Sequence, residues 1–348
     1  MKILIRATNW VGDAVMALPA LRAVRGQLRD AEISIVARPY VADIYRDQQI
    51  CDQLINYDVQ GIHAGLSGRE RLAADLRARK FDVALLFQNA FDAAWLAWRA
   101  NIPERIGYAR DGRSFLLTKA VPVPKPGEIP PHETFYYLEL LRRAGWKVPQ
   151  SDVSFISMIV PDEKRARAAK FLVDAGARPR VARIAIGAGA SYGSARCWPP
   201  SRYAEVANRL QAQGDADIIL FGTAAETAVS SAIVADLRRP AIDLTGKTDI
   251  ADLPALLSQC HLFVGNDSGA MHVAAAVGLP VVAIFGPTDP HGTAPVTPRC
   301  TLVQEKPYCS PCFLRRCPTD HRCMTKVTPD MVEAAIKPWL SSIEVQRA

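Results

Sequence analysis

At 348 residues, with 49% hydrophobic and 22% charged side chains, the chain is long enough for two globular domains and too apolar to be disordered. Lys and Arg number 42 against 35 Asp and Glu, a formal +7, of which +5 falls in residues 1–150 and +2 in residues 151–348. The first half therefore suits a polyanionic partner: nucleic acid, anionic lipid or a phosphorylated substrate. Strand residues begin at Lys2 with no charged leader before an apolar core, so no secretory signal is expected. The uncharged run Ser268 to Thr288 is divided by Gly278 and Pro280, which argues against a membrane span and for a cytoplasmic protein.

In chain order, Lys2 to Arg6 reads as a buried strand. The polar turn Ala7 to Asp13 follows it, then an apolar helix from Ala14 to Leu28. Strands are expected at Glu32 to Ala37, Gln53 to Tyr57, Phe81 to Phe87 and Ile102 to Tyr108. Helices are expected at Gly68 to Arg79 and up to Trp98. The five prolines of residues 121–131 break this alternation and read as a hinge, before a helix from His132 to Ala144. The second half repeats the logic. Helices are expected at Asp162 to Ala175, Ser201 to Gln213, Ala225 to Leu237, Ile250 to Cys260 and Pro329 to Leu340. Strands are expected at Val181 to Ile186, Asp217 to Phe221 and Ala241 to Leu244. The fold class is α/β: two Rossmann-like, doubly wound parallel sheets, residues 1–155 and 156–348, facing one cleft with their strand carboxyl ends.

Chemistry concentrates in Phe263 to Pro290. An apolar strand (Leu262 to Val264) breaks at Gly265, Asn266 and Asp267, and a small-residue helix follows with Ser268 or Asp267 as its N-cap. Gly278 and Pro280 stop that helix before a second strand, Val281 to Phe285. Strand, tight turn and helix N-terminus present backbone N–H groups and a positive dipole end to an anion. The turn Gly187 to Gly193 has Tyr192 where a dinucleotide fingerprint needs glycine, which excludes nicotinamide binding. With Arg196 close behind, it still suits a phosphate. Glu226 follows a strand end, where a carboxylate binds ribose hydroxyls or merely complements a helix dipole. Asp13, after Gly12, is either an N-cap or a general base.

Four of the eight cysteines, Cys309, Cys312, Cys317 and Cys323, form C-x2-C-x4-C-x5-C. That spacing is tighter than a zinc ribbon and has one C-x2-C knuckle, so a loop of reduced thiols is expected, with zinc the alternative. Of the six histidines, His63, His261, His291 and His321 form no helical ligand pair.

Four segments carry a resemblance: Ile3 to Val24, Arg196 to Leu210, Phe221 to Glu226, and Asn266 to Pro290. Together they resemble the ADP-heptose transferases of lipopolysaccharide inner-core synthesis, glycosyltransferase family 9. The resemblance implies a GT-B fold, with the acceptor bound by the first domain and the nucleotide sugar by the second. It implies inverting transfer of L-glycero-D-manno-heptose from ADP-heptose to a heptose already on Kdo2-lipid A, at the inner face of the inner membrane. Asp13 matches the family's base, Arg196 stands where relatives carry a lysine on the phosphates, and Glu226 matches the ribose ligand. Asp267, Ser268, Gly269 and His272 match the diphosphate and heptose motif, with Gly187 and Ser191 on the same nucleotide-sugar side. Asn9, Trp10, Gly12, Arg110 and Arg113 fall on the acceptor side, with Arg69 and Arg71 as further cations there. No cofactor is required and no metal ligand is assigned; Mg²⁺ is at most a stimulant. A nucleotide-sugar epimerase and a nucleic-acid module built on the basic cysteine loop are the rivals. The second lacks interleaved aromatics and any RNA-recognition motif.

Overall fold

The computed structural model describes residues 1–148 and 153–340, and the chain divides into two compact units, Met1–Val153 and Ser154–Ala348.

The first unit contains, in order, β1 (Lys2–Arg6), α1 (Val11–Met16), α2 (Leu18–Gln27), β2 (Glu32–Ala37), α3 (Pro39–Tyr45) and β3 (Gln53–Asn56). It continues with α4 (Gly65–Arg79), β4 (Val83–Leu86), α5 (Phe91–Arg99), β5 (Glu104–Tyr108), β6 (Lys119–Val121) and α6 (Glu133–Arg143). All six strands pair in parallel in the order β3-β2-β1-β4-β5-β6. Strands such as Ile3, Leu4 and Ile5 are buried on both faces because helices cover both, which is why they read as continuous apolar runs. Connections cross from the β1 side to the β4 side between neighbouring strands, so the carboxyl ends of β1 and β4 flank a topological switch point.

Three expectations for this unit need correction. The helix expected over Ala14 to Leu28 is two helices, broken at Ala17, because Pro19 in the first turn of α2 starts a new helix. The helix α3 and the short strand β6 were not anticipated. The proline-rich run 121–131 is not the boundary between units: it lies inside the first unit, leading from β6 into α6, which packs on α2 and α1. Arg143 of α6 ties that run down, donating to the Pro122 carbonyl at 3.1 Å and pairing with Glu128 at 2.6 Å.

The second unit runs α7 (Asp162–Asp174), β7 (Ala182–Gly187), α8 (Pro200–Gln213), β8 (Ala216–Leu220), α9 (Thr227–Ala235), β9 (Ile242–Asp243) and α10 (Leu253–Leu257). There follow β10 (Leu262–Asn266), α11 (Gly269–Ala276), β11 (Val281–Phe285), α12 (Pro290–Thr293), β12 (Cys300–Gln304), α13 (Arg322–Thr325) and α14 (Pro329–Leu340). Its sheet is again all parallel, in the order β12-β11-β10-β7-β8-β9. This repeats the winding of the first unit, with the switch point between β7 and β10. The core of one face is built on Trp198, Tyr203, Ile184, Val264 and Ile284. The elements α12, β12 and α13 were not anticipated, and α10 is shorter than the helix expected over Ile250 to Cys260. Among the described residues no helix is long and apolar enough to cross a membrane.

Candidate active site

In the second unit, the loops that leave β7 and β10 meet at the switch point, because those strands are hydrogen-bonded neighbours. Asn266, the last residue of β10, is fully buried and locks the two loops together. Its amide donates to the Ala188 carbonyl at 2.6 Å, and its Oδ1 accepts from the Trp198 N–H at 3.0 Å and the Tyr203 hydroxyl at 2.8 Å. The Gly187–Gly193 turn thereby holds Arg196 against Asp267: the guanidinium and carboxylate are 2.9 Å apart, and both side chains are largely buried. Thr288 donates to the same carboxylate at 2.7 Å. Burial pushes the Asp267 carboxyl up, and Arg196 and the Thr288 hydroxyl pull it back.

Arg196 also lies over the Tyr192 ring, 4.2 Å from its centroid, where Arg315 stacks at 5.0 Å. Ser268 is the N-cap of α11, in extended backbone, yet its side chain makes no capping bond and its Oγ is buried without a partner. Arg196 Nε is likewise buried without a partner. Two orphaned polar atoms beside the free N–H groups of a helix start fit a ligand rich in acceptor oxygens. Gly269 opens α11 and His272 is buried one turn later. Gly187 ends β7 under the Phe263 ring, and Ser191 is exposed in the following turn.

Glu226 closes a turn after β8, and its carboxylate accepts from the Thr223 N–H at 2.7 Å and hydroxyl at 3.0 Å. It lies so close to Gly189 that a Cβ there would sit 1.9 Å from Glu226 Oε1. A separate cavity of about 420 Å³ is lined by Lys164, Arg167, Phe171, Lys247, Asp249 and Asp252.

In the first unit, Asp13 is the third residue of α1, whose N-cap is Trp10. The expectation of an N-cap at Asp13 is therefore corrected; the carboxylate lies in the first turn, and its charge acts on the buried Tyr45 and Tyr137 hydroxyls. Gly12 stands beside it, Trp10 is exposed, and Asn9 accepts a hydrogen bond from Arg6 at 2.9 Å. Arg110 is exposed, bonded to the Tyr136 hydroxyl at 3.2 Å. Arg113, expected on the acceptor side, is instead fully buried. It donates to the carbonyls of Tyr108, Gln88 and Ala90 and to Asn89 Oδ1, so most of its donors hold the turns after β4 and β5 together. Arg69 pairs with Asp92 at 3.3 Å, and Arg71 donates to the Ile62 carbonyl at 3.2 Å.

The profile of glycosyltransferase family 9 (heptosyltransferase) matches residues 69–322. The chain belongs to that family. It is a glycosyltransferase, 29% identical over 311 residues to the lipopolysaccharide heptosyltransferase 2 of Salmonella typhimurium, covering 87% of this chain and 88% of that relative. The solved ADP-heptose heptosyltransferase II of Escherichia coli superimposes with a TM-score of 0.82 at 25% identity, over 99% of this chain and 100% of that one. A family 9 glycosyltransferase from Veillonella parvula matches in fold, with a TM-score of 0.84 at 21% identity over 98% and 97% of the two chains. The architecture of this family 9 enzyme is thus GT-B.

Its cysteine loop has a structural place. All four thiols are free, and among the described residues no group of three or more His, Cys, Asp or Glu is placed to hold a metal. The loop grips the segment that carries Arg196: the Ala195 N–H donates to the Arg315 carbonyl at 3.1 Å, His321 Nε2 bonds the Ala195 carbonyl at 2.7 Å, and Tyr192 donates to the Phe313 carbonyl at 3.2 Å. Gly193 allows this approach, since a Cβ there would lie 2.2 Å from the Arg315 oxygen. Sequence reasoning passed over Gly189, Asn266, Thr288 and Tyr192 in this unit, and Arg6, Arg38 and Tyr57 in the first. The available signal was position alone, at the carboxyl end of an apolar strand or in the turn that follows it.

Proposed function

We propose that this family 9 enzyme transfers heptose from ADP-heptose to the heptosyl-Kdo2-lipid A inner core, working as a peripheral protein at the inner face of the inner membrane. The observation that carries the donor assignment is the convergence of Arg196, Asp267 and Ser268 at the switch point of the second unit. The unpartnered Arg196 Nε, Ser268 Oγ and α11 N–H groups receive the diphosphate oxygens. Glu226 takes the ribose hydroxyls. His272 and Asp267 border the sugar.

On the acceptor side, Asp13 removes the proton of the attacking hydroxyl as its oxygen bonds to the anomeric carbon. The bond from that carbon to the β-phosphate oxygen breaks, and ADP departs from the opposite face with the electron pair, which inverts the configuration. A carboxylate in a first helical turn is a weak base, so its proton transfer is concerted with attack. The charge growing on ADP is met by donors fixed before the reaction begins, which is where such sites gain most. This donor set makes no demand for a metal, and turnover is expected to persist in EDTA. The relatives named heptosyltransferase 2 favour a heptose-bearing acceptor. A product assay with ADP-heptose tests this, using acceptors with and without the first heptose. Transfer only to the heptose-free acceptor would overturn the assignment.

A further inference from the structure

Among the described residues of the first unit, two neighbouring arginines keep buried donors that no hydrogen bond satisfies. Arg6, the last residue of β1, is 3% exposed. Its guanidinium donates to the Ala7 carbonyl at 2.6 Å and to Asn9 Oδ1 at 2.9 Å, and its Nε is buried without a partner. Arg38 follows β2 directly, and its Nη1 is also buried without a partner. Both guanidinium carbons face one ring, that of Tyr57 just after β3, at 5.2 and 5.1 Å from its centroid. The acid whose charge reaches Arg6 is Asp92, and it is engaged elsewhere: by the Tyr57 hydroxyl at 2.9 and 3.1 Å and by Arg69 at 3.3 Å. Among the described residues neither Arg6 nor Arg38 forms an ion pair.

Folded chains pair or fully hydrogen-bond the charges they bury, because desolvation otherwise penalises them heavily. Arg113 of the same unit follows that rule, with four acceptors around its guanidinium. Arg6 and Arg38 do not. Burial lowers the Arg6 guanidinium, the Asp92 charge offsets part of that, and Arg38 adds to it; what sets Arg6 apart from Arg113 is its unused donor. A buried guanidinium beside a half-buried one, each left with an unused buried donor at the carboxyl end of a strand near the switch point, is the mark of a ligand site.

We propose that Arg6 and Arg38, bracketing Tyr57, form an oxyanion subsite in the first unit that binds a carboxylate or phosphate of the acceptor. This rests on the transferase reading above. It also moves the acceptor's anionic anchor away from Arg113, whose donors hold the fold. Asn9 links the subsite to the turn that carries Asp13, and Tyr40 secures that turn by donating to the Asn9 carbonyl at 2.8 Å. An acceptor anchored there by its anion has its hydroxyl placed relative to the base, so the subsite contributes position as well as affinity.

The test is steady-state kinetics of Arg38→Ala on the full chain, with Arg6→Gln as a second variant. Removing either charge-assisted hydrogen-bond donor should raise acceptor KM about 10- to 100-fold, with donor KM and ADP affinity unchanged. The ligand-free Tm of Arg38→Ala should hold or rise, since a repelling charge is removed; a merely structural arginine would lower it. Two acceptor arms separate the sources of the anion, one with its carboxylates esterified and one dephosphorylated. Wild type loses the same factor on whichever acceptor lacks the bound group, and Arg38→Ala loses nothing further on it. Unchanged acceptor KM in a folded Arg38→Ala, or losses that add fully on both modified acceptors, overturns the subsite. Should wild type transfer to no acceptor, the functional reading fails. The subsite is then still decided by inorganic phosphate, which must raise the Tm of wild type by more than that of Arg38→Ala, the second unit's anion site being common to both; equal shifts overturn it.

Discussion

Gly189→Ala separates the binding role of Glu226 from its structural one. The added Cβ would lie 1.9 Å from Glu226 Oε1 and 2.0 Å from its Cδ, against ordinary contact at roughly 3.5 Å. The carboxylate must therefore retreat by about 1.5 Å. It can, because it is the free end of a flexible side chain, but it cannot keep both bonds to Thr223, now 2.7 and 3.0 Å long. Losing that capping interaction costs about 1 kcal/mol, a fall in Tm of roughly 2–4 °C for a domain of this size. If the same carboxylate binds the ribose, donor affinity suffers separately. Two bonds from a charged acceptor to a diol, misplaced by that much, should weaken ADP about 10- to 100-fold. Calorimetric titration of ADP into folded Gly189→Ala, beside Glu226→Gln, measures this. Wild-type ADP affinity in a variant whose Tm has dropped would show that Glu226 only caps its turn, and the ribose assignment would go.

Arg196→Ala should weaken ADP and slow transfer by a factor corresponding to about 2–4 kcal/mol in the transition state; unchanged kinetics would remove Arg196 from the site. The same variant should show a Tm that depends more steeply on pH than that of wild type. Without its cation the buried Asp267 carboxyl, already pushed up by burial, rises further, so the folded state holds a proton that the unfolded chain releases. Stability should then be full in acid below the unfolded carboxyl's pKa and fall as pH rises through the folded one; a Tm profile parallel to wild type refutes this. Asp13→Asn should cut turnover about 10²–10⁴-fold at near-wild-type ADP affinity and, since Trp10 holds the N-cap position, at unchanged Tm; single-turnover transfer at the wild-type rate would refute the base. Replacing Cys309, Cys312, Cys317 and Cys323 with serine should lower Tm more than turnover per folded molecule, and zinc in stoichiometric amount, with activity lost to chelation, would contradict that.

The second unit's turn could be read from the chain because its signals are local. Gly265, Asn266 and Asp267 punctuate an apolar strand, and the small residues from Gly269 onward have one plausible use. What happens to Asp267 could not be read. Its partner Arg196 is 71 residues away, and the two meet only because β7 and β10 are neighbours across the switch point. The same holds for Arg113. A charged residue in a polar turn reads as surface, and its burial depends on carbonyls after β4 and β5 that the fold gathers around it. The proline-rich run misled for another reason. Proline marks where regular structure stops, and a stop inside a unit looks the same in sequence as one between units. A half-exposed strand such as Cys300–Gln304 carries too few buried apolar positions for its periodicity to show.

The two units place charge at their switch points in opposite ways, and the difference bears on how each reads its ligand. In the second unit Arg196 is already neutralised by Asp267, so a diphosphate gains little from net charge there. It gains from unused directional donors: Arg196 Nε, Ser268 Oγ and the first N–H groups of α11. Such a site discriminates by geometry, and can release ADP after transfer because the guanidinium falls back on its carboxylate. In the first unit neither Arg6 nor Arg38 forms an ion pair among the described residues, and Asp92, whose charge reaches Arg6, is bonded to Tyr57 and Arg69. An anion arriving there removes a desolvation penalty that the free protein carries, so its charge matters more than its shape. A neutral isostere should therefore be rejected more strongly by the first unit than by the second. On the proposed assignments, the donor site is built to let its anion go, and the acceptor side to require one.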